Sequence, residues 1–403
     1  MTKKWIIALL LLPAIATGAQ GIRLTNYDAP NALYFNADRF FDFNLYERAR
    51  FGASLLWVSP NENAARQRKV FGQWTLSAYG AYATGDKDWK YGLGAMLRLP
   101  GACDPKLRLW AFKDLERAAW RRLGDYTMLT PASNTNLVAS RFIGVRGADF
   151  DFIFSPSRSW DIVLGISQKW EDYRFGGAGL LYPALDAGQQ APIKSFSEIY
   201  TEGKWYGGFR YALYGGIMAD RQRLPFFRGI AQYNGQPGGS GLNLFAQAGF
   251  ATRGAPYSRM FDLSGTAFSL YYFKNSFLTI RPNTLTANIY SHICLNYTAP
   301  LPLWSLPWSK PRPFLQANAL WGMMFDQDEL GCRHWDGLDL QAPSKGIFEV
   351  ATGFDGFVYW GLMDVGFAVA YQLCPSAASY RHADPAENFA FTIVANFILD
   401  KHD

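Results

Sequence analysis

Apolar and polar positions alternate along residues 71–100, "FGQWTLSAYGAYATGDKDWKYGLGAMLRLP". Trp74, Leu76, Ala78, Gly80 and Tyr82 fall on one side of an extended chain, with Thr75, Ser77 and Tyr79 on the other. Past a short charged turn, Tyr91, Leu93, Ala95, Leu97 and Leu99 share a side, opposite Gly92, Gly94 and Arg98. Period-two alternation broken by a Gly-Asp turn predicts an antiparallel hairpin with one apolar and one polar face.

The same pattern returns to the end of the chain. "LNLFAQAGF" aligns Leu242, Leu244, Ala246, Ala248 and Phe250. "TLTANIYSHICLNY" aligns Leu285, Ala287, Ile289, Ile293, Leu295 and Tyr297 against Thr286, Asn288, His292 and Asn296. "YWGLMDVGFAVAYQL" sets Tyr359, Met363, Val365, Phe367, Val369 and Tyr371 against Asp364 and Gln372, and the last run aligns Phe391, Ile393, Ala395, Phe397 and Leu399. Turn signals such as "PGACDP", "SPSRS", "NGQPGGSG" and "PSAAS" separate the runs at hairpin spacing. At about 20–25 residues per strand and connection, residues 40–403 hold ~14–18 strands, and the even count of single-chain barrels predicts sixteen.

A soluble sandwich would alternate in the same way, so composition decides what the apolar faces meet. Aromatic residues make up 17% of the chain, charged residues only 18%, and there are 38 glycines. A soluble domain is usually about a quarter charged. Aromatics gathered near strand ends match interfacial girdles, and faces rich in Gly, Thr, Asn and Arg match a wet lumen. Closure into a barrel removes the edges that lipid would not tolerate. The fold expected is an all-β transmembrane antiparallel barrel whose greasy faces meet lipid. The first residues, "MTKKWIIALLLLPAIATGAQG", read as a cleaved secretory signal over 1–19, because the apolar run is too short to span a bilayer. Residues 20–39 then form an N-terminal segment at the periplasmic mouth or in the lumen, and 40–403 form the barrel.

Two insertions break the alternation. "FKDLERAAWRRLGDY" (112–126) has helical spacing, with strand and loop as the alternative, and "PLPLWSLPWSKPRP" (300–313) carries five prolines. The prolines exclude a central strand and make this a connection, with Trp304 and Trp308 at the membrane interface.

Catalytic and ligand chemistry find little support. A hydrolase needs Ser and His on neighbouring strands, yet Ser291 and His292 are adjacent on one strand and face opposite ways, which leaves His292 as a structural lumen residue. Asp326, Asp328, Glu329, Asp336 and Asp339 share one loop, but their spacing matches no calcium loop and a solvated surface fits better. Cys103, Cys294, Cys332 and Cys374 form no C-x-x-C pair, so zinc is not indicated. The net charge of +6 fits basic loops at anionic headgroups, and no motif supports nucleic-acid binding. No cofactor or metal is expected and the chain reads as a non-enzyme. Arg98 and Asp364 lie on polar faces and are candidates for a charge network inside the barrel.

Several stretches resemble a Bacteroidota outer-membrane family of unknown function whose members usually carry a carboxypeptidase-regulatory-like domain before the barrel. They are "FGQWTLSAYGAYATGDKDWKYGL", "SRMFDLSGTAFSLYYF", "FLTIRPNTLTANIYSHICLNYTAPLP" and "PFLQANALWG", and the resemblance runs from about Asp42 to Leu399. About twenty residues separate the signal from the first strand, so the accessory domain is expected to be missing. That family is similar to barrels of the BamA and TamA type, in which an Arg-Gly motif on an inward loop braces the wall. The nearest equivalent is "RMFDLSGT", with Arg259, Phe261 and Gly265, although the Arg-Gly pair itself is broken. Phe391, Ile393, Phe397 and Leu399 resemble the terminal signal read by the outer-membrane assembly machinery. The resemblance implies a Gram-negative outer-membrane protein in contact with lipid and lipopolysaccharide. It is a client of the assembly machinery or a subunit of it, with surface lipoproteins as further partners. The role implied is outer-membrane biogenesis, or membership of a complex for protein assembly or export. A passive or selective channel is the alternative, and a membrane-embedded hydrolase has the least support.

Overall fold

The computed structural model describes residues 22–24, 31–36, 41–44, 48–59, 72–117, 141–175, 194–206, 209–219, 223–234, 241–256, 259–262, 277–280, 285–329, 331–335, 338–360, 363–373 and 388–397. Residues 1–19, expected to be a signal sequence, together with Gly265, Leu399 and the second part of the 112–126 insertion, lie outside them. Among the described residues no helix is long and apolar enough to cross a membrane.

The strands run in order β1 (Ile22–Arg23), β2 (Ala32–Asn36), β3 (Phe41–Asn44), β4 (Arg48–Val58), β5 (Gln73–Ala83), β6 (Asp88–Arg98) and β7 (Lys106–Arg117). Then come β8 (Arg141–Ser157), β9 (Trp160–Phe175), β10 (Lys194–Tyr206), β11 (Phe209–Ala219), β12 (Arg223–Asn234), β13 (Leu242–Ala251), β14 (Phe261–Asp262) and β15 (Thr286–Ala287). The chain ends with β16 (Ile289–Thr298), β17 (Arg312–Met323), β18 (Cys332–Trp335), β19 (Leu338–Gln341), β20 (Ile347–Trp360), β21 (Met363–Leu373) and β22 (Phe389–Phe397). Among the described residues eighteen strands share one sheet, and β14–β15 and β18–β19 form separate two-stranded ribbons. β2 and β3 pair with successive halves of β4 and act as one strand. With the two-residue β1, a short pairing on β2, set aside, the antiparallel meander numbers sixteen, as the turn spacing predicts. Most strands are 10–12 residues long, as in β5, β6 and β16, which matches the ~9–11 residues a tilted strand needs to cross a bilayer.

Of the two readings open for 112–126, its first part takes the strand, within Lys106–Arg117, and is not helical. Alternation along Leu107, Leu109 and Ala111 persists there, and pairing with β8 from Lys106 to Arg117 overrides the local helical spacing. The segment 20–39 is not separate from the sheet either. Residues 32–36 form half of the first strand, and 22–23 pair with its other edge.

The chain divides into two compact units, 1–117 with 134–204 and 214–223, and 118–133 with 205–213 and 224–403. In the first, Leu76, Leu93, Leu109, Ile166 and Ile199 are exposed on the outward face. The inward face carries buried charge in ion pairs. Lys90 is 2% exposed and donates to Asp86 at 2.6 Å and Asp88 at 3.0 Å. Asp88 also receives Lys113 at 2.6 Å. Arg50 meets Asp114 at 2.8 Å, and the Tyr79 hydroxyl donates to the same carboxylate at 2.5 Å. Asp151 accepts from Arg108 at 2.5 and 2.9 Å and from the Tyr200 hydroxyl. Trp110 lies inward across Gly92 and Gly94, where any Cβ would stand within 2.6 Å of its ring.

In the second unit the outward face is again apolar, with Ile293, Leu295, Leu315, Trp321 and Val350 exposed. Its inward positions, Tyr290, His292, Asn296, Gln316, Asn318 and Glu349, are buried. Burial of so many polar groups requires partners on the same side: Asn296 donates to Gln316 at 3.1 Å within the wall, and a segment of the chain supplies the donors to Glu349.

Candidate functional site

The connection from β13 to β16 passes over the inward face of the second unit, held at described residues 252–256, 259–262, 277–280 and 285–288. Its strongest tether is Glu349 on β20. One carboxylate oxygen accepts the backbone N–H of Leu278 at 2.9 Å, that of Thr279 at 2.7 Å and the Thr279 hydroxyl at 2.6 Å. The other oxygen accepts Leu278 N–H at 3.0 Å and the Asn318 amide at 3.1 Å. An ionised carboxylate offers about four acceptor sites, so this set satisfies it without a cation. Leu278 then packs on Phe314, Ala351, Ala368, Ala370 and Ala390. Alanines that neighbour one another across β20, β21 and β22 (Ala351, Ala368, Ala370 and Ala390) leave the depth that a leucine side chain fills.

Two further contacts hold the segment. Phe277 lies 5.2 Å from the His292 ring, which meets Phe245 edge-on at 5.6 Å. The Gln247 amide lies 3.2 Å from His292 Nδ1, and the Tyr290 hydroxyl donates to Gln247 Oε1 at 3.0 Å. At the other end Phe261 of β14 pairs with Ala287 of β15 and packs 4.5 Å from Tyr290. It enters a socket above Gly249, whose Cβ would lie 2.5 Å from the Phe261 ring. Arg259 is buried, its guanidinium 5.4 Å from the Phe226 ring centre.

Arg259 and Phe261 therefore sit on the inward-folded connection. Arg98 falls at the turn end of β6, where it bridges to Asp104, which also meets Lys106 at 2.8 Å. For Asp364 the backbone register gives Tyr359 and Asn396 as cross-strand neighbours. Of the terminal residues, Phe391 and Ile393 are exposed on β22, and Phe397 ends it. Ser291 faces outward and His292 inward, so the two do not meet. In the acidic loop Asp326 meets Arg253 at 2.7 Å and Asp328 accepts the Cys332 N–H at 2.7 Å. Among the described residues no three His, Cys, Asp or Glu gather as metal ligands, and no disulfide joins Cys103, Cys294 and Cys332 to one another.

Sequence reasoning missed Glu349 and the ion pairs around Lys90 and Asp151. A signal for Glu349 was present: it is a carboxylate at an inward position between Ile347 and Ala351, in a strand with no basic residue. Such a charge needs a partner from elsewhere in the chain.

No protein-family model matches the chain, and no curated protein matches it. Among solved structures it is similar to BamA from Haemophilus ducreyi lacking POTRA domains 1–3, at 10% identity and a TM-score of 0.51, over 96% of this chain and 77% of that one. CdiB from Acinetobacter baumannii aligns at 8% identity and a TM-score of 0.39, over 91% of this chain and 59% of its own. CdiB from Escherichia coli aligns at 11% and 0.40, over 92% and 64%. The architecture of this chain is that of a BamA-like antiparallel β-barrel.

Proposed function

We propose that this protein is a non-enzymatic outer-membrane barrel acting in outer-membrane biogenesis, as a subunit of a complex for protein assembly or export. The observation that carries this reading is the inward connection held on Glu349. A passive channel gains nothing from occupying its own lumen with a segment that gives three donors to one wall carboxylate. A barrel that works through its wall or loops gains rigidity and a closed lumen from the same device. The buried ion pairs around Lys90, Arg50 and Asp151 add to this, since they cross-link inward faces instead of lining an aqueous path. The partners of this reading are lipid and lipopolysaccharide, the assembly machinery and surface lipoproteins.

The test is affinity purification of the tagged protein from native membranes in mild detergent, with mass spectrometry of what co-purifies. Stoichiometric recovery of an assembly barrel or of surface lipoproteins is the expected result. Recovery of the barrel alone, together with stepwise conductance in planar bilayers, would overturn this reading in favour of a channel.

A further inference from the structure

The connection between β16 and β17, residues 299–311, carries an apolar tip on a fully built hairpin. Leu301 is 77% exposed and Trp308 58%, and Leu303, Trp304 and Leu306 are exposed beside them. Water-facing turns favour Gly, Asn, Asp and Ser. This one has Pro300, Pro302, Pro307 and Pro311, with Pro313 just beyond.

The backbone hydrogen bonds explain what such a composition achieves. Prolines have no N–H to satisfy. The amides of Ala299, Leu303 and Lys310 donate to the carbonyls of Pro313, Pro311 and Gly356, each at 2.9 Å. Leu306 and Ser309 exchange bonds at 2.8 and 3.1 Å. The Trp304 indole N–H donates to Ser309 Oγ at 3.0 Å, and that hydroxyl donates to the Phe357 carbonyl at 2.6 Å. With four prolines that carry no N–H and five amides engaged, the hairpin has fewer open donors to desolvate than a proline-free loop of its length, while its large side chains gain by leaving water.

The tip is also continuous with the outward wall. Trp304 stands 6.1 Å from Phe357, Phe357 stands 5.5 Å from Phe367, and Phe367 stands 6.4 Å from Phe391 on β22. An aromatic row thus runs from the hairpin to the last strand on the apolar face, and Lys310 is exposed at the hairpin's base. Indoles beside a lysine are the residue types that settle where acyl chains meet headgroups.

We propose that residues 299–311 are a lipid-insertion element, with Leu301, Leu303, Trp304, Leu306 and Trp308 lodged at the acyl–headgroup boundary and Lys310 beside lipid phosphate. The hairpin fixes the depth of the second unit at this end of β16 and β17. This rests on the barrel reading and goes beyond it.

The test uses the full chain reconstituted in phosphatidylcholine–phosphatidylglycerol vesicles. Subtracting the emission of a Trp304→Phe/Trp308→Phe variant from that of the wild type isolates the two indoles. Lipids brominated on the upper acyl chain should quench this difference emission roughly twofold or more, as for interfacial indoles, with aqueous iodide having little effect. Quenching by iodide alone, or by neither agent as under a protein cover, overturns the proposal. The remaining tryptophans are the control: if brominated lipid quenches none of them, the membrane-barrel reading fails instead. Heat-modifiable migration checks folding, and if the double variant does not fold, Trp308→Phe alone gives the same readout.

Discussion

Glu349 and Thr279 are bound three ways, through the backbone amide at 2.7 Å, the hydroxyl at 2.6 Å and the neighbouring Leu278 amide at 2.9 Å, all on one carboxylate oxygen. Seventy residues apart in sequence, they join the inward connection to the wall. Glu349→Ala leaves these donors and the Asn318 amide without an acceptor, a loss on the order of 3 kcal/mol or more. Glu349→Gln keeps one oxygen but turns a second donor toward N–H groups, and should cost nearly as much. The measurement is planar-bilayer conductance. Wild type should be silent, and both variants should show transient openings.

Gly249 tests the socket. Gly249→Ala places a methyl group 2.5 Å from both the Phe261 and Tyr290 rings, so Phe261 must shift, at about 1–3 kcal/mol for overpacking. Phe261→Ala alone should also destabilise by leaving a cavity. The double variant should be more stable than the sum of the two losses, as coupled neighbours are. Thermal unfolding in detergent, read by heat-modifiable migration, gives all three values.

Lys90 neutralises Asp86 and Asp88 while itself buried. Lys90→Met preserves the stem and removes the charge, leaving two close carboxylates at a cost of about 3–5 kcal/mol. Asp86→Asn in the Lys90→Met background should recover part of that loss. Urea unfolding in detergent measures both, and equal stability of Lys90→Met and wild type would show the pair to be energetically idle.

Asp104 lies in the turn between β6 and β7, and its carboxyl is held below the ordinary aspartate value of 3.8. Partial burial opposes ionisation there, and hydrogen bonds and charge from Lys106 and Arg98 outweigh it. A depressed folded pKa gives stability that is present above 3.8 and lost as pH falls through the lower folded value. Exposed pairs are worth less than about 1 kcal/mol, so the effect is small. Unfolding midpoints between pH 7 and pH 2 should show a smaller acid loss for Asp104→Asn than for wild type.

The sequence by itself determined the all-β barrel class, the number of strands and the sidedness of wall strands such as β5, β6 and β16. Leu285 and Ala287, read as continuing the outward face of β16, are instead buried in the inward connection. Alternation is a local property, since each residue's face follows from its neighbours two positions away. In β16 every outward and inward assignment, Ile293, Leu295 and Tyr297 against His292 and Asn296, could be made before any partner strand was known. The tertiary structure decided which inward residues meet. Arg98 finds Asp104 in its own turn, Lys90 finds Asp86 and Asp88, and Asp151 finds Arg108 and Tyr200, because register between strands depends on turn geometry that periodicity does not encode. It also decided that β7 continues through Arg117, that 32–36 joins the sheet, and that Glu349 holds Leu278 and Thr279. Those contacts join residues far apart in sequence, and a chain of alternating faces carries no mark of which distant segment will cross its inner side.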